Sequence, residues 1–204
     1  MKLYYSPGAC SLAAHIVARE AGVPVDLAKV DLASHKLEDG SNYYDVNPRG
    51  YVPALRLKDG EPVLTEANIV VQYLADQKPE SGLMPKAGST ERYRAQQWLA
   101  FIATELHKSL GWFWAKDTPE ATKTKLKEKL DKRFAELDDH FKSSDFLLGK
   151  NFSAADAYAF TIINWVNFLG MNLKSFPNLQ AFMDRVAGRP KVQEALKAEG
   201  LVAA

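Results

Sequence analysis

Cysteine occurs once in this sequence, at Cys10, which excludes an internal disulfide and any cage of several thiolates. Net charge is almost lacking too. Against 26 Lys and Arg stand 25 Asp and Glu, a formal charge of +1, so no bulk field draws the chain to nucleic acid or to an anionic membrane. No apolar run approaches the roughly 20 residues that cross a bilayer. Residues Met1–Ser11 also show no basic and then apolar leader, so the expected location is the cytoplasm. Histidine is sparse, four in all, and none stands in H-E-x-x-H or C-x₂-C spacing, so no metal site is expected. The chain has no internal repeat and no low-complexity tract.

What is present is ordinary globular composition, 47% apolar and 25% charged over 204 residues, enough for one large domain or two small ones. Apolar runs at Met1–Tyr5 and Val25–Val30 predict strands, and Leu12, Ala13, Ile16 and Val17 predict a helix over Ser11–Ala21 that Gly22 closes. Such a β-α-β unit implies parallel strands. A second pair, Ala54–Leu57 and Pro62–Leu64, flanks Lys58-Asp59-Gly60-Glu61, and Asp-Gly there predicts an antiparallel hairpin. A short helix at Asn42–Val46 ends before Pro48, and a further helix is predicted over Glu66–Asp76.

Pro79, Gly82, Pro85 and Gly88 then punctuate a polar stretch. The expected organisation is a first domain over residues 1–78, a linker over 79–88 and an all-helical domain over 89–204. Helices are predicted over Thr90–Gly111, Pro119–His140, Ser153–Gly170, Asn178–Gly188 and Lys191–Glu199. The third of these is apolar on nearly every side, as a central buried helix must be. Ser153-x-x-Asp156 at its start has capping-box spacing. The Lys/Glu-rich run Lys123–Lys132 reads as a solvated helix face.

Three places carry chemistry. Cys10 falls where the first strand gives way to the first helix, and amide hydrogens at a helix start favour a thiolate or a small anion. A free cysteine is otherwise a small buried apolar residue. Val52-Pro53 opens the third strand, and if that bond is cis it turns the backbone of Val52 outward toward an extended peptide. Thr65-Glu66-Ala67 heads a helix: Thr65 is placed to cap, small Ala67 leaves its N–H approachable to a carboxylate, and Glu66 suits an ammonium. The two ends of one amino acid are satisfied together there.

This order of elements, with Lys2–Leu12, Asn47-Pro48-Arg49-Gly50-Tyr51-Val52-Pro53, Leu64-Thr65-Glu66, Val71–Asp76, Glu105-Leu106-His107-Lys108 and Phe152–Tyr158, resembles the beta class of glutathione transferases from end to end. The resemblance implies an α/β plus all-α fold: an N-terminal thioredoxin-like β-α-β-α-β-β-α domain followed by a C-terminal helical-bundle domain. It implies a transferase that uses glutathione as co-substrate, without metal, acts on small hydrophobic electrophiles and forms a homodimer. Cys10 and His107 are then the catalytic pair. Tyr5, Ser11, Val52, Pro53, Glu66, Ala67, Thr104 and Lys108 are implied in glutathione binding. The glycyl end falls to His35, where the family often has Lys, with Lys36 beside it. Trp112, Phe113, Trp114, Trp165 and Phe168 are candidate walls of the hydrophobic subsite. At helical spacing Ala100, Thr104, His107 and Gly111 share one face. Two alternatives stay open: a thiol-disulfide oxidoreductase that uses Cys10, and a non-catalytic carrier of hydrophobic ligands.

Overall fold

The computed structural model describes residues 1–203. The chain divides into two compact units, Met1–Met84 with Arg189–Ala204, and Pro85–Gly188. Arg189–Ala204 thus groups with the first unit, not with the helical half to which the sequence assigns it.

In the first unit, β1 (Lys2–Tyr5) runs parallel to β2 (Asp26–Asp31) and antiparallel to β4 (Ala54–Arg56). A two-residue strand, β3 (Lys36–Leu37), pairs with the far side of β2, giving the order β3-β2-β1-β4. The expected fourth strand, Pro62–Leu64, shrinks to a single bridge in which Leu55 and Leu64 exchange both backbone hydrogen bonds, at 2.8 and 2.9 Å. Pro62 lacks the N–H that would continue the ladder. The hairpin is present, but its second arm is one residue deep.

Helix α1 (Ser11–Ala21) buries Leu12, Ile16 and Val17, and α2 (Ala67–Asp76) buries Val70, Val71 and Leu74. Each such side chain contributes about 1.5–3 kcal/mol when fully buried. Gly22 ends α1 with φ 67°, a left-handed cap that a Cβ disfavours. The short helix before Pro48 is a 3₁₀ turn, Tyr43–Asp45, capped by the Asn42 side chain, which accepts from the Tyr44 N–H. On the other side of the sheet Tyr4, Val30, Tyr43, Val52 and Ala54 form a compact core.

The second unit is helical throughout. Helix α3 (Thr90–Phe101) leads into a π-helical segment, Ile102–His107, and then α4 (Lys108–Gly111). The wider i→i+5 turns of that segment break the α spacing, so residues 100, 104, 107 and 111 do not form the continuous stripe that 3.6 residues per turn draws through them. Helix α5 (Glu120–His140) presents its lysines outward and buries Leu130, Phe134 and Leu137. Every residue of α6 (Ala154–Ile163) is buried, and Asn164 separates it from the short α7 (Trp165–Phe168). Helix α8 (Pro177–Ala187) packs on α5 and α6. The last helix, α9 (Pro190–Ala198), belongs to the first unit and packs on α1. Among the described residues, no helix is long and apolar enough to cross a membrane.

Candidate active site

In the first unit Cys10 occupies the N-cap position of α1, half-buried, and its Sγ donates to the Val52 carbonyl at 3.0 Å. The peptide bond that follows, Val52-Pro53, is cis. Two donors hold the preceding carbonyl: the buried Tyr43 hydroxyl at 2.8 Å and the Asn47 side-chain amide at 2.7 Å both bond the Tyr51 oxygen. Burial drives the Tyr43 hydroxyl pKa well up, so it stays a donor at any physiological pH. Gly50 closes this loop with φ 69°, and a Cβ there would lie 2.8 Å from the Tyr44 ring and 3.0 Å from His35. The backbone leading into Val52 is therefore pinned at Gly50 and Tyr51.

The turn before Cys10 is equally fixed. Ser11 is fully buried, and its hydroxyl accepts from the Ser6 N–H and donates to the Ser6 carbonyl, at 3.2 and 3.3 Å. The Gly8 N–H donates to the Glu199 carboxylate at 3.0 Å. That carboxylate's other oxygen meets His15 Nδ1 at 2.9 Å, and His15 Nε2 accepts from Arg19 Nε at 2.9 Å. Since Nε2 accepts, Nδ1 is the donor toward Glu199. Both His15 and Glu199 are buried. Tyr5 lies at the same end of β1, its hydroxyl pKa raised by burial and further by Glu199 and Glu38.

Glu66, not Thr65, takes the N-cap position of α2, with φ 66° and ψ 117°. A non-glycine residue in that region costs about 1–3 kcal/mol and is retained chiefly where a site needs it. Its carboxylate is exposed and lies 3.4 Å from Arg49. Ala67 begins the helix and is buried. His35, at φ 52°, rests its ring on Tyr44 with centroids 4.5 Å apart, and its buried Nδ1 has no hydrogen-bond partner. Lys36 is exposed on β3.

In the second unit His107 ends the π segment, and its Nδ1 lies 2.6 Å from the hydroxyl of the buried Tyr158 on α6. Burial, with a smaller push from Lys108, lowers the imidazole pKa to about 4, so the ring is neutral at neutral pH. Trp165 meets it edge-on at 5.0 Å, and Trp114 meets Trp165 edge-on at 6.0 Å. Trp112 and Phe168 are more than half exposed, while Phe113 is half-buried. Thr104 is exposed and donates back to the Ala100 carbonyl at 2.9 Å, and Lys108 is exposed.

Sequence reasoning missed Glu199, His15, Arg19, Tyr43, Asn47 and Tyr158. Glu199 meets His15 across 184 residues of chain, and no local pattern announces such a pair. Tyr158 has apolar neighbours on an apolar helix and reads as core.

The two units are a thioredoxin-like domain and a helical-bundle domain carried by one chain. Residues 8–77 match the family described as glutathione S-transferase, N-terminal domain, and residues 96–190 match glutathione S-transferase, C-terminal domain. Glutathione S-transferase GstA of Escherichia coli O157:H7 is 45% identical over 201 residues, covering 98% of this chain and 100% of its own. Among solved structures, a ternary complex of BphK, a bacterial GST, superposes with a TM-score of 0.96 at 48% identity, covering 98% of this chain and 100% of that one. A sphingomonad glutathione S-transferase complexed with glutathione does so at 0.93 and 42% identity, covering 99% and 100%. The chain belongs to the glutathione S-transferase family, and within it to the bacterial beta class.

Proposed function

We propose that this chain is a cytoplasmic, homodimeric glutathione transferase that joins the thiol of glutathione to small hydrophobic electrophiles. The observation that carries the reading is the single thiol at the start of α1, 3.0 Å from the Val52 carbonyl on a backbone segment pinned by Tyr43 and Asn47. An extended tripeptide placed along Val52-Pro53 brings its own sulfur to Cys10. Glu66 and the Ala67 N–H then take the γ-glutamyl ammonium and carboxylate. His35 and Lys36 take the glycyl carboxylate. Tyr5 supplies a hydroxyl donor at the same sheet edge, whereas the Ser11 hydroxyl acts through the Ser6 turn that it closes. In the helical unit, His107, Thr104 and Lys108 are the residues we assign to the co-substrate. The same unit offers Trp112, Phe113, Trp114, Trp165 and Phe168 as apolar walls for the electrophile.

In the reaction the glutathione thiol loses its proton to solvent, and the thiolate sulfur forms a C–S bond to the electrophilic carbon. The leaving group departs with the electron pair of the bond that breaks. Helix-start amides and hydrogen bonds to sulfur favour the thiolate, and each pKa unit of that preference is worth about 1.4 kcal/mol.

Cys10→Ala tests the assignment. Conjugation of a chlorinated nitrobenzene is expected to survive to within about tenfold, the worth of one hydrogen bond. Complete loss of conjugation with the fold intact would instead make Cys10 the nucleophile and favour a disulfide-exchange enzyme. Native mass spectrometry of the purified full chain is expected at twice the subunit mass, and a purely monomeric spectrum at micromolar concentration defeats the dimer.

A further inference from the structure

Tyr158 belongs to no part of the co-substrate contact set proposed above, yet it makes the shortest polar contact of His107. Its hydroxyl oxygen is 2.6 Å from Nδ1, and the two rings stand edge-on, with centroids 5.8 Å apart at 87°. The phenol sits on α6, whose every residue is buried and whose first turn is locked by Ser153 and Asp156. It is therefore a rigid partner. His107 is on the π segment, packed between this phenol and the edge of Trp165, so neither the ring's position nor its tilt is left to solvent.

We propose that Tyr158 is a positioning residue that fixes the tautomer of His107, leaving the hydrogen on Nε2 and making that nitrogen a hydrogen-bond donor. The reasoning is one of donor strength. A phenolic O–H is a better donor than a neutral imidazole N–H, so across a 2.6 Å contact the phenol gives its hydrogen and Nδ1 accepts it. A neutral imidazole carries one hydrogen, which then resides on Nε2. The low imidazole pKa set by burial agrees with a ring that stays neutral through the physiological range.

The consequence is chemical and rests on the transferase reading. With Nδ1 occupied and Nε2 already protonated, His107 has no lone pair with which to take the thiol proton. It can serve the reaction only as a hydrogen-bond donor to developing negative charge, not as a general base. Phenol and imidazole form a pair in which the O–H polarises the ring and strengthens its Nε2–H as a donor.

The test is the protonation pattern of the ring nitrogens in full-length protein labelled with ¹⁵N. The His107 signal is identified by its disappearance in His107→Asn. Wild type is expected to show Nε2 protonated and Nδ1 bare at pH 7. In Tyr158→Phe, which keeps the buried ring and deletes only the oxygen, the pattern is expected to move toward a mixture of tautomers. The kcat for conjugation should fall roughly tenfold, while KM for glutathione changes less than about twofold. A merely structural tyrosine would leave the ring spectrum unchanged. A wild-type ring protonated on Nδ1, or a Tyr158→Phe ring with the wild-type pattern, overturns the proposal, as does a changed pattern with unchanged kcat. If wild type turns over no electrophile, the transferase reading fails and the catalytic half of the proposal falls with it. The ring spectra then still decide the tautomer by themselves.

Discussion

Glu199→Ala is expected to lower the unfolding free energy by roughly 2–6 kcal/mol, because it strips the acceptor from two donors at about 1–3 kcal/mol each. Glu199 is fully buried and bonds the Gly8 N–H with one oxygen and His15 Nδ1 with the other. Behind His15 stands Arg19, whose Nη1 also meets Glu194 on α9 at 3.3 Å, and Arg189 holds Glu20 through two bonds of 2.7 and 2.8 Å. The C-terminal segment is thereby tied to α1 and to the turn that carries Cys10. Alanine removes the central acceptor of this chain while leaving its donors in place, and that asymmetry makes the loss large. Glu199→Gln keeps one carbonyl acceptor but turns an NH₂ toward the remaining donor, so it should fall between alanine and wild type. Urea unfolding followed by near-ultraviolet circular dichroism measures the difference. A change below about 1 kcal/mol for the alanine variant would mean that the network contributes little beyond packing.

The same network shows where the sequence is readable and where it is not. Helix α1 has the predicted bounds because its signals are local: an apolar stripe at Leu12, Ile16 and Val17 and a glycine able to adopt φ 67°. The parallel pairing of β1 and β2 follows from the helix between them. Local signals also placed Cys10 and Val52, although only the folded backbone brings Sγ within 3.0 Å of the carbonyl. The strand predicted over Pro62–Leu64 contracted because pairing depends on a partner edge and on an N–H that Pro62 does not have. Helical periodicity over Thr90–Gly111 reported a helix correctly but could not report the π segment, since a pattern read at 3.6 residues per turn carries no separate signal for a few wider turns. Arg189–Ala204 has ordinary helical patterning, and its membership of the first unit is decided by Glu199 and His15, residues that pattern alone cannot pair.

Asp156→Ala is the second large effect, and it acts in the helical unit. The Asp156 carboxylate is fully buried and accepts three hydrogen bonds: from the Leu147 N–H at 2.7 Å, the Ser153 N–H at 2.8 Å and the Ser153 hydroxyl at 2.6 Å. Together with the Ser153 side chain, which caps the N3 backbone, it closes both ends of a capping box on the helix that carries Tyr158. Alanine strips the acceptor from two buried backbone donors, each worth about 1–3 kcal/mol when left unmet, so a loss of roughly 2–6 kcal/mol is expected. For a chain of this length that corresponds to a fall in Tm on the order of 10 °C. The pH dependence has a definite sign. Burial raises the carboxyl pKa to about 6, against the opposing pull of the Leu147 and Ser153 donors. With the folded pKa above the unfolded one, the folded state binds more protons between them. The contribution of Asp156 is therefore fully present below the unfolded value and declines as pH rises through about 6. The deficit of Asp156→Ala should accordingly widen when urea midpoints are compared at pH 7.5 and then at pH 4.5. A deficit that narrows on acidification would show that the three hydrogen bonds outweigh burial and hold the carboxylate ionised.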